Sequence, residues 1–132
     1  MGSRSLTISA AVVCTALLSS GEPVSAHHSF AAEFDASAPV RLAGTVARVE
    51  WTNPHVWIFV EVDSGQSDAV TWAIEGSTPN ALARHGITKD MVRPGARVVV
   101  RGYRAKNRTP TARGSDITLA DGRTLSLGSP DR

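Results

Sequence analysis

Apolar and polar residues alternate along several short segments of the chain, and this period of two predicts β-strands. The strongest alternation covers residues 56–62, where valine and isoleucine occupy one face and Trp57 and Phe59 the other. Because both faces carry large apolar side chains, we expect a central strand that is covered on both sides. Further strands are predicted at residues 40–51, with a bend or bulge near Gly44, at 69–75, at 98–103, and at 117–127, which folds into a small hairpin at Asp121-Gly122.

One helix is predicted after the third strand. A Ser-Thr pair can cap it, Pro79 fits its first turn and Gly86 ends it. Loops are predicted at residues 52–55 and 107–115, because both contain a proline and other residues typical of turns.

Three strands, one helix and two further strands follow one another in the order of an OB-fold. The sequence therefore predicts a mainly β protein, with a small five-stranded OB-fold-like barrel and one short helix between strands 3 and 4. Other small five-stranded barrels fit the same order. In an OB-fold, ligands meet the face of strands 2 and 3 and the two loops beside it, which here would be residues 52–55 and 107–115.

The first 26 residues have a different character. Arg4 supplies a positive charge, residues 6–18 form an uncharged apolar stretch too short to span a bilayer, and small residues precede Ala26. This pattern predicts a secretory signal peptide that is cut after Ala26. A lipoprotein anchor at Cys14 is the alternative, although valines stand before it where lipoprotein signals favour small residues.

The predicted organisation is a signal peptide at residues 1–26, an N-terminal arm at 27–39 and the OB-like β-barrel domain at 40–132. Cleavage would remove the chain's single cysteine, which excludes disulfides and thiolate metal sites in the mature protein. Later segments contain no apolar run long enough for a transmembrane helix. Acidic residues dominate between residues 27 and 80, and basic residues dominate from residue 81. One end of the molecule would then attract cations and the other anions. Alternatively, these charged residues form the solvated faces of strands and a charged loop.

Several motifs resemble a family of small exported bacterial proteins. They are His27-His28-Ser29-Phe30, Gly44-Thr45-Val46, Glu50-Trp51-Thr52-Asn53-Pro54-His55-Val56-Trp57, residues 72–75 with Pro79-Asn80 after them, and Pro94-Gly95. The resemblance covers most of the predicted mature chain. The family is catalogued only as a domain of unknown function, so the resemblance implies a periplasmic or secreted bacterial protein and brings no established activity or functional residue.

The histidines suggest a metal site. If His27 is the first residue of the mature chain, its amino group and imidazole can chelate one ion, and His55 can complete a T-shaped site that favours copper(II). His28 could add its imidazole or amide nitrogen. Alternatively, the paired histidines lie by chance in a mobile terminus, and the His55 ring bonds a backbone carbonyl. Three carboxylates could assist the metal site, namely Glu33, Asp35 and Glu50.

A second hypothesis needs no metal. Trp57 and Phe59 could form a platform for a flat or sugar-like ligand, next to the basic residues Arg104, Lys106 and Arg108. The protein would then be an exported interaction module for a periplasmic protein, a cell-wall anion or a small ligand. Export argues against nucleic acid as its partner. The alternative is that the tryptophans are packing residues of the core or of the barrel cover.

Catalysis has little support in the sequence. It contains no Gly-x-Ser-x-Gly elbow, no phosphate-binding glycine loop and no His-Glu-x-x-His pair. Glu50 and Glu75 could act as paired carboxylates, but ion pairs with nearby arginines are the expectation. We therefore expect binding or carriage rather than an enzyme.

Overall fold

The computed structural model describes Gly2, residues 29–63, Gly65 and residues 68–129. The predicted signal peptide therefore lies outside the described residues, apart from Gly2. The elements in chain order are α1 (Phe30–Glu33), β1 (Phe34–Glu50), β2 (Trp57–Val62), β3 (Val70–Glu75), α2 (Pro79–Arg84), a 3-10 helix (Lys89–Val92), β4 (Arg97–Ala105), β5 (Thr111–Leu119) and β6 (Thr124–Ser126).

Five of the strands pair into a closed ring. The hydrogen-bonded order is β3-β2-β1-β4-β5-β6, and an additional pairing joins β3 to β5. This closing pair is parallel, whereas the other pairs are antiparallel. β1 is long enough to pair with two strands: its first part pairs with β4 and its last part with β2. The prediction of a mainly β protein is confirmed, and α2 lies between β3 and β4 as expected.

The core fills the inside of this ring. On β2, Ile58 and Val60 are fully buried, while Trp57 and Phe59 on the other face are half-buried. Gly44 is needed where β1 crosses β2, because a Cβ there would lie 2.1 Å from the carbonyl oxygen of Glu61. The expected irregularity of β1 is a register shift that falls between Val46 and Arg48, just after this glycine.

The start of the described chain is more ordered than an irregular arm. β1 begins at Phe34 rather than at residue 40, and α1 forms a single helical turn before it. The Phe30 ring stacks on Phe34 at 5.8 Å between centroids and meets Tyr103 edge-on at 5.5 Å. Lys106 holds this turn through hydrogen bonds to the backbone carbonyls of Ala31 and Glu33.

The helix prediction is confirmed in detail. The hydroxyl of Thr78 accepts a hydrogen bond of 3.2 Å from the Ala81 amide, and Pro79 occupies the first turn. Gly86 has a φ of +82°, which a glycine adopts at little cost after a helix end. Among the described residues, no helix is both long and apolar enough to span a membrane.

The predicted loop at residues 107–115 is wrong in its second half. β5 already begins at Thr111, and the predicted strand at 117–127 is divided between β5 and β6. Gly114 is one of the turn-type residues on which the loop prediction rests, but here it is required for packing: a Cβ at this position would lie 2.6 Å from Leu127 Cδ1 and 2.9 Å from Ile74 Cγ2. A glycine that makes room for neighbouring side chains cannot be told from a turn glycine by local pattern.

Candidate functional site

A row of directly paired residues crosses the outer face of the sheet. Glu50 pairs with Trp57, Trp57 with Glu75, Glu75 with Arg113, and Arg113 with Tyr103. Directly paired residues project from the same face of a sheet. The row lies outside the core because the adjacent positions on three of these strands are core residues, namely Ile58, Ile74 and Ala112.

His55 joins this row from the connection between β1 and β2. Its Nδ1 is within hydrogen-bonding contact of Glu75 Oε1. The Glu75 side chain is 11% exposed and the His55 side chain 31%. An ionised carboxylate can only accept, so Nδ1 carries the proton of the neutral ring and Nε2 is left as the free nitrogen. The contact therefore fixes both the orientation and the tautomer of His55.

Arg113 stands on the other side of Glu75. It is 6% exposed, and its Nη1 donates to the carbonyl oxygen of Gly76. Burial lowers the pKa of the Arg113 guanidinium, and the negative charge of Glu75 opposes this shift. Two opposite charges thus share a largely buried position next to a histidine. We call His55, Glu75 and Arg113 the charged cluster.

Backbone segments from three parts of the chain surround the charged cluster. The Val56 amide donates to the Ser77 carbonyl at 3.0 Å, and the Ser77 amide donates to Leu127 at 2.8 Å. A Cβ on Gly128 would lie 3.5 Å from Arg113 Nη2, so the C-terminal segment passes close to the guanidinium. The Asn53-Pro54 peptide directly before His55 is cis.

The two predicted platform residues share the outer face with the charged cluster. Trp57 is the direct partner of Glu75, and Phe59 follows two residues later on the same strand. The Arg48 guanidinium lies 3.7 Å from the centroid of the Phe59 ring and also pairs with Glu50. The arginine therefore covers part of Phe59, and the expected ion pairing of Glu50 is confirmed.

The predicted basic residues have structural contacts of their own. The Arg104 guanidinium lies 5.4 Å from the Trp72 ring centroid, and its Nη2 donates to the Arg108 carbonyl at 2.8 Å. Its Nε is buried and has no hydrogen-bond partner among the described residues. Lys106 bonds the turn of α1, as described above. Arg108 is exposed and has a φ of +65°.

The structure describes only part of the predicted metal site. His27 and His28 lie outside the described residues. Within the described part of the chain, no group of three or more His, Cys, Asp or Glu side chains is arranged to hold a metal ion. Of the three candidate assisting carboxylates, Glu50 pairs with Arg48 and Asp35 accepts hydrogen bonds from Ser37.

Sequence reasoning missed the role of Arg113 and underrated Glu75. Glu75 and His55 are 20 positions apart in the chain, and Arg113 was assigned to a loop. The available signal was the end of the third strand: a carboxylate that follows Ile74 on a buried strand needs a partner. The partner of such a carboxylate is expected to be a cationic side chain or a histidine, but the sequence does not show which residue it is.

These features define a small, mainly β protein with a charged cluster at the end of its third strand. Residues 14–114 match the model of a family described as a family of unknown function, DUF6152. The chain belongs to this family, and the prediction of a family catalogued only as a domain of unknown function is confirmed. Comparisons with curated proteins and with solved structures gave no significant match.

Proposed function

We propose that this is an exported periplasmic binding protein with an OB-like barrel, and that it holds a copper(II) ion through Nε2 of His55. The observation that carries the proposal is the contact between His55 Nδ1 and the Glu75 carboxylate. Histidines that bind metals usually donate their other ring N–H to a carboxylate or a carbonyl, which orients the ring and strengthens it as a ligand.

The rest of the charged cluster suits this role. Arg113 compensates the charge of Glu75 in a position where an isolated carboxylate would be costly. The histidine side chain is about one-third exposed, at 31%, so its free nitrogen remains accessible to an incoming ion. A rigid imidazole with one accessible nitrogen loses little conformational freedom when it binds a metal.

The remaining ligands would come from the N-terminus of the mature chain. Phe30 contacts Tyr103, and Tyr103 is separated from Glu75 only by Arg113 in the row of paired residues. Two strand spacings amount to about 10 Å, and the three residues from 27 to 29 can span roughly the same distance. Cleavage after Ala26 would therefore bring the amine and imidazole of His27 within reach of His55, with His28 as a further donor. Nitrogen donors of this kind favour copper(II).

A copper(II) EPR titration tests the proposal. Protein whose first residue is His27 is compared with a version that carries one extra N-terminal residue and with His55→Ala. The native form is expected to give a nitrogen-rich signal that saturates at about one equivalent. Both altered forms should weaken binding by about tenfold or more, because each removes a ligand. His85, an exposed histidine at the C-terminal end of α2, provides the matched control, and His85→Ala should leave the signal unchanged.

Glu75→Gln sharpens this test. A neutral amide cannot fix the His55 tautomer as a carboxylate does, so copper affinity should fall by about tenfold. The same weak signal in every form, including the one with the extra residue, would show adventitious binding by surface histidines and would overturn the metal proposal.

A second candidate function is an exported interaction module without a metal. Trp57 and Phe59 favour it, since both are half-buried on the outer face of one strand. The pairing order, with a parallel β3–β5 pair and α2 after β3, supports an OB-like barrel, in which strands 2 and 3 usually meet the ligand. This candidate predicts that binding of the periplasmic partner is indifferent to an extra N-terminal residue. Trp57→Ala or Arg108→Ala should weaken binding of the partner. Substitutions of Arg104 and Lys106 need a folding control, because both side chains also make hydrogen bonds within the protein.

A further inference from the structure

The last part of β1 has a free edge. Pairing between β1 and β4 ends at Thr45 and Arg97, after which Val46 exchanges backbone hydrogen bonds with Gly95 and Ala96 at 2.8 and 2.9 Å. Pairing with β2 on the other side continues to Glu50. Residues 48–50 are therefore paired on one side only, and Ala47 is the bulge residue that has no partner on β2. Among the described residues, no neighbouring segment hydrogen-bonds to the backbone of residues 47–50 on the free side.

A groove of about 480 Å³ runs along this edge. The 3-10 helix and the turn that follows it form its far wall. Ala47, Val49 and Pro94 contribute apolar surface, so the groove is not simply a polar crevice between loops. The remaining lining residues are charged, and they are Arg48, Lys89, Asp90 and Arg93.

The charges of the groove are predominantly positive. Three of its four charged residues are cations, and Asp90 is the single carboxylate among them. Arg48 is paired with Glu50, but no ion pair within the described residues involves Lys89 or Arg93. Both of these side chains are exposed. The groove therefore offers two unpaired cations next to an unpaired strand edge.

We propose that this groove binds an extended, acidic peptide segment of a partner protein, which adds a strand to the free edge of β1. An unpaired edge presents amide and carbonyl groups to an incoming strand, and the pockets beside it select the side chains. Four residues of edge correspond to about 13 Å, the length of a short linear motif. Lys89 and Arg93 would pair with alternate acidic side chains, while Ala47, Val49 and Pro94 would contact the residues between them.

The bulge in β1 agrees with this role. Bulges often stop edge-to-edge pairing, and here the register shift between Val46 and Arg48 lies where β4 leaves the strand. After it, Arg48, Val49 and Glu50 pair regularly with β2. The irregularity therefore separates the edge used by β4 from the edge proposed for the partner. The proposal does not depend on copper, since the groove contains no residue of the charged cluster.

An NMR titration of the ¹⁵N-labelled protein tests the proposal. The probe is the acetylated and amidated peptide Val-Asp-Val-Glu-Val-Asp-Val. Shifts of amide signals are expected at residues 47–50 and 89–93. Lys89→Gln combined with Arg93→Gln should raise the dissociation constant by about tenfold. Arg84→Gln, which removes an exposed cation from α2, should leave it unchanged.

Three control peptides separate strand addition from charge attraction. A peptide with the acidic residues replaced by Asn and Gln should bind at least tenfold more weakly, because the complementary charge is lost. In an added strand, only every second N–H points towards β1. The original sequence methylated on that set of amides cannot form the ladder and should lose binding, whereas methylation of the other set, which points away, should be tolerated. Equal binding by the methylated peptides, or shifts that do not include residues 47–50, would overturn the proposal.

Discussion

The charged cluster and the edge groove use charge in opposite ways. In the cluster, Glu75 and Arg113 are both buried as whole residues, and they lie beside each other on paired strands. In the groove, Lys89 and Arg93 are exposed and have no ion-pair partner in the described structure. Buried charges depend on their partners, whereas exposed charges are solvated and can be removed at little cost. The charges of the cluster therefore contribute to the stability of the fold, whereas the two cations of the groove remain accessible at the surface.

The largest expected effect is on the cluster. Arg113→Ala leaves the Glu75 carboxylate with less compensation in a buried position, so the free energy of unfolding should fall by about 3–5 kcal/mol. Urea denaturation measures this change. The double variant Arg113→Met with Glu75→Gln removes both charges and should recover part of the loss. If Arg113→Ala lowered the free energy of unfolding by less than about 1 kcal/mol, the charges of Glu75 and Arg113 would be solvated rather than buried.

A smaller effect is expected at Asp35, a half-buried carboxylate near the start of β1. Hydrogen bonds from the side chain and backbone of Ser37 lower the pKa of Asp35 below its usual 3.8. A lowered pKa in the folded state stabilises the protein above pH 3.8, and this contribution disappears as the pH falls through the folded-state value. Asparagine imitates the protonated acid, so the difference in stability between wild type and Asp35→Asn should be present at pH 6 and should shrink as the pH falls below 3.8. Thermal unfolding at several pH values measures it, and a difference independent of pH would contradict the assignment.

The smallest effect on stability is expected in the groove. Lys89→Gln with Arg93→Gln should change the free energy of unfolding by no more than about 0.5 kcal/mol, because exposed charges without partners contribute little. The same double variant should raise the dissociation constant of the acidic peptide by about tenfold. If the double variant destabilised the protein as strongly as Arg113→Ala, Lys89 and Arg93 would contribute to the stability of the fold, and the two regions would not differ in this respect.

Features set by local chemistry were predictable. The capping by Thr78, the start of α2 at Pro79 and the left-handed Gly86 follow from short-range rules. The alternation in β2 put Ile58 on the face opposite Trp57 and Phe59, but it did not show which of the two faces is the core. Gly114 and the residues around it were misassigned because the reason for that glycine is a contact with Ile74 and Leu127. No local pattern contains this information, since the two neighbours come from distant parts of the chain.

The candidate site shows the same division. The sequence supplied His55 as a candidate and Trp57 and Phe59 as strand residues with a free face. It could not supply the partner of His55, because Glu75 reaches it only after β2 and β3 pair in register. Likewise, the motif that contains His55 indicated the family but not the chemistry of the ring.

The sequence by itself determined the strands, the helix between them and the family to which the chain belongs, because alternation, capping residues and motifs act over a few positions. The tertiary structure decided that β3 and β5 pair in parallel, that Arg113 is buried beside Glu75, and that residues 47–50 keep a free edge. These outcomes depend on which strands become neighbours, and neighbours are chosen by the packing of the whole core rather than by any one segment.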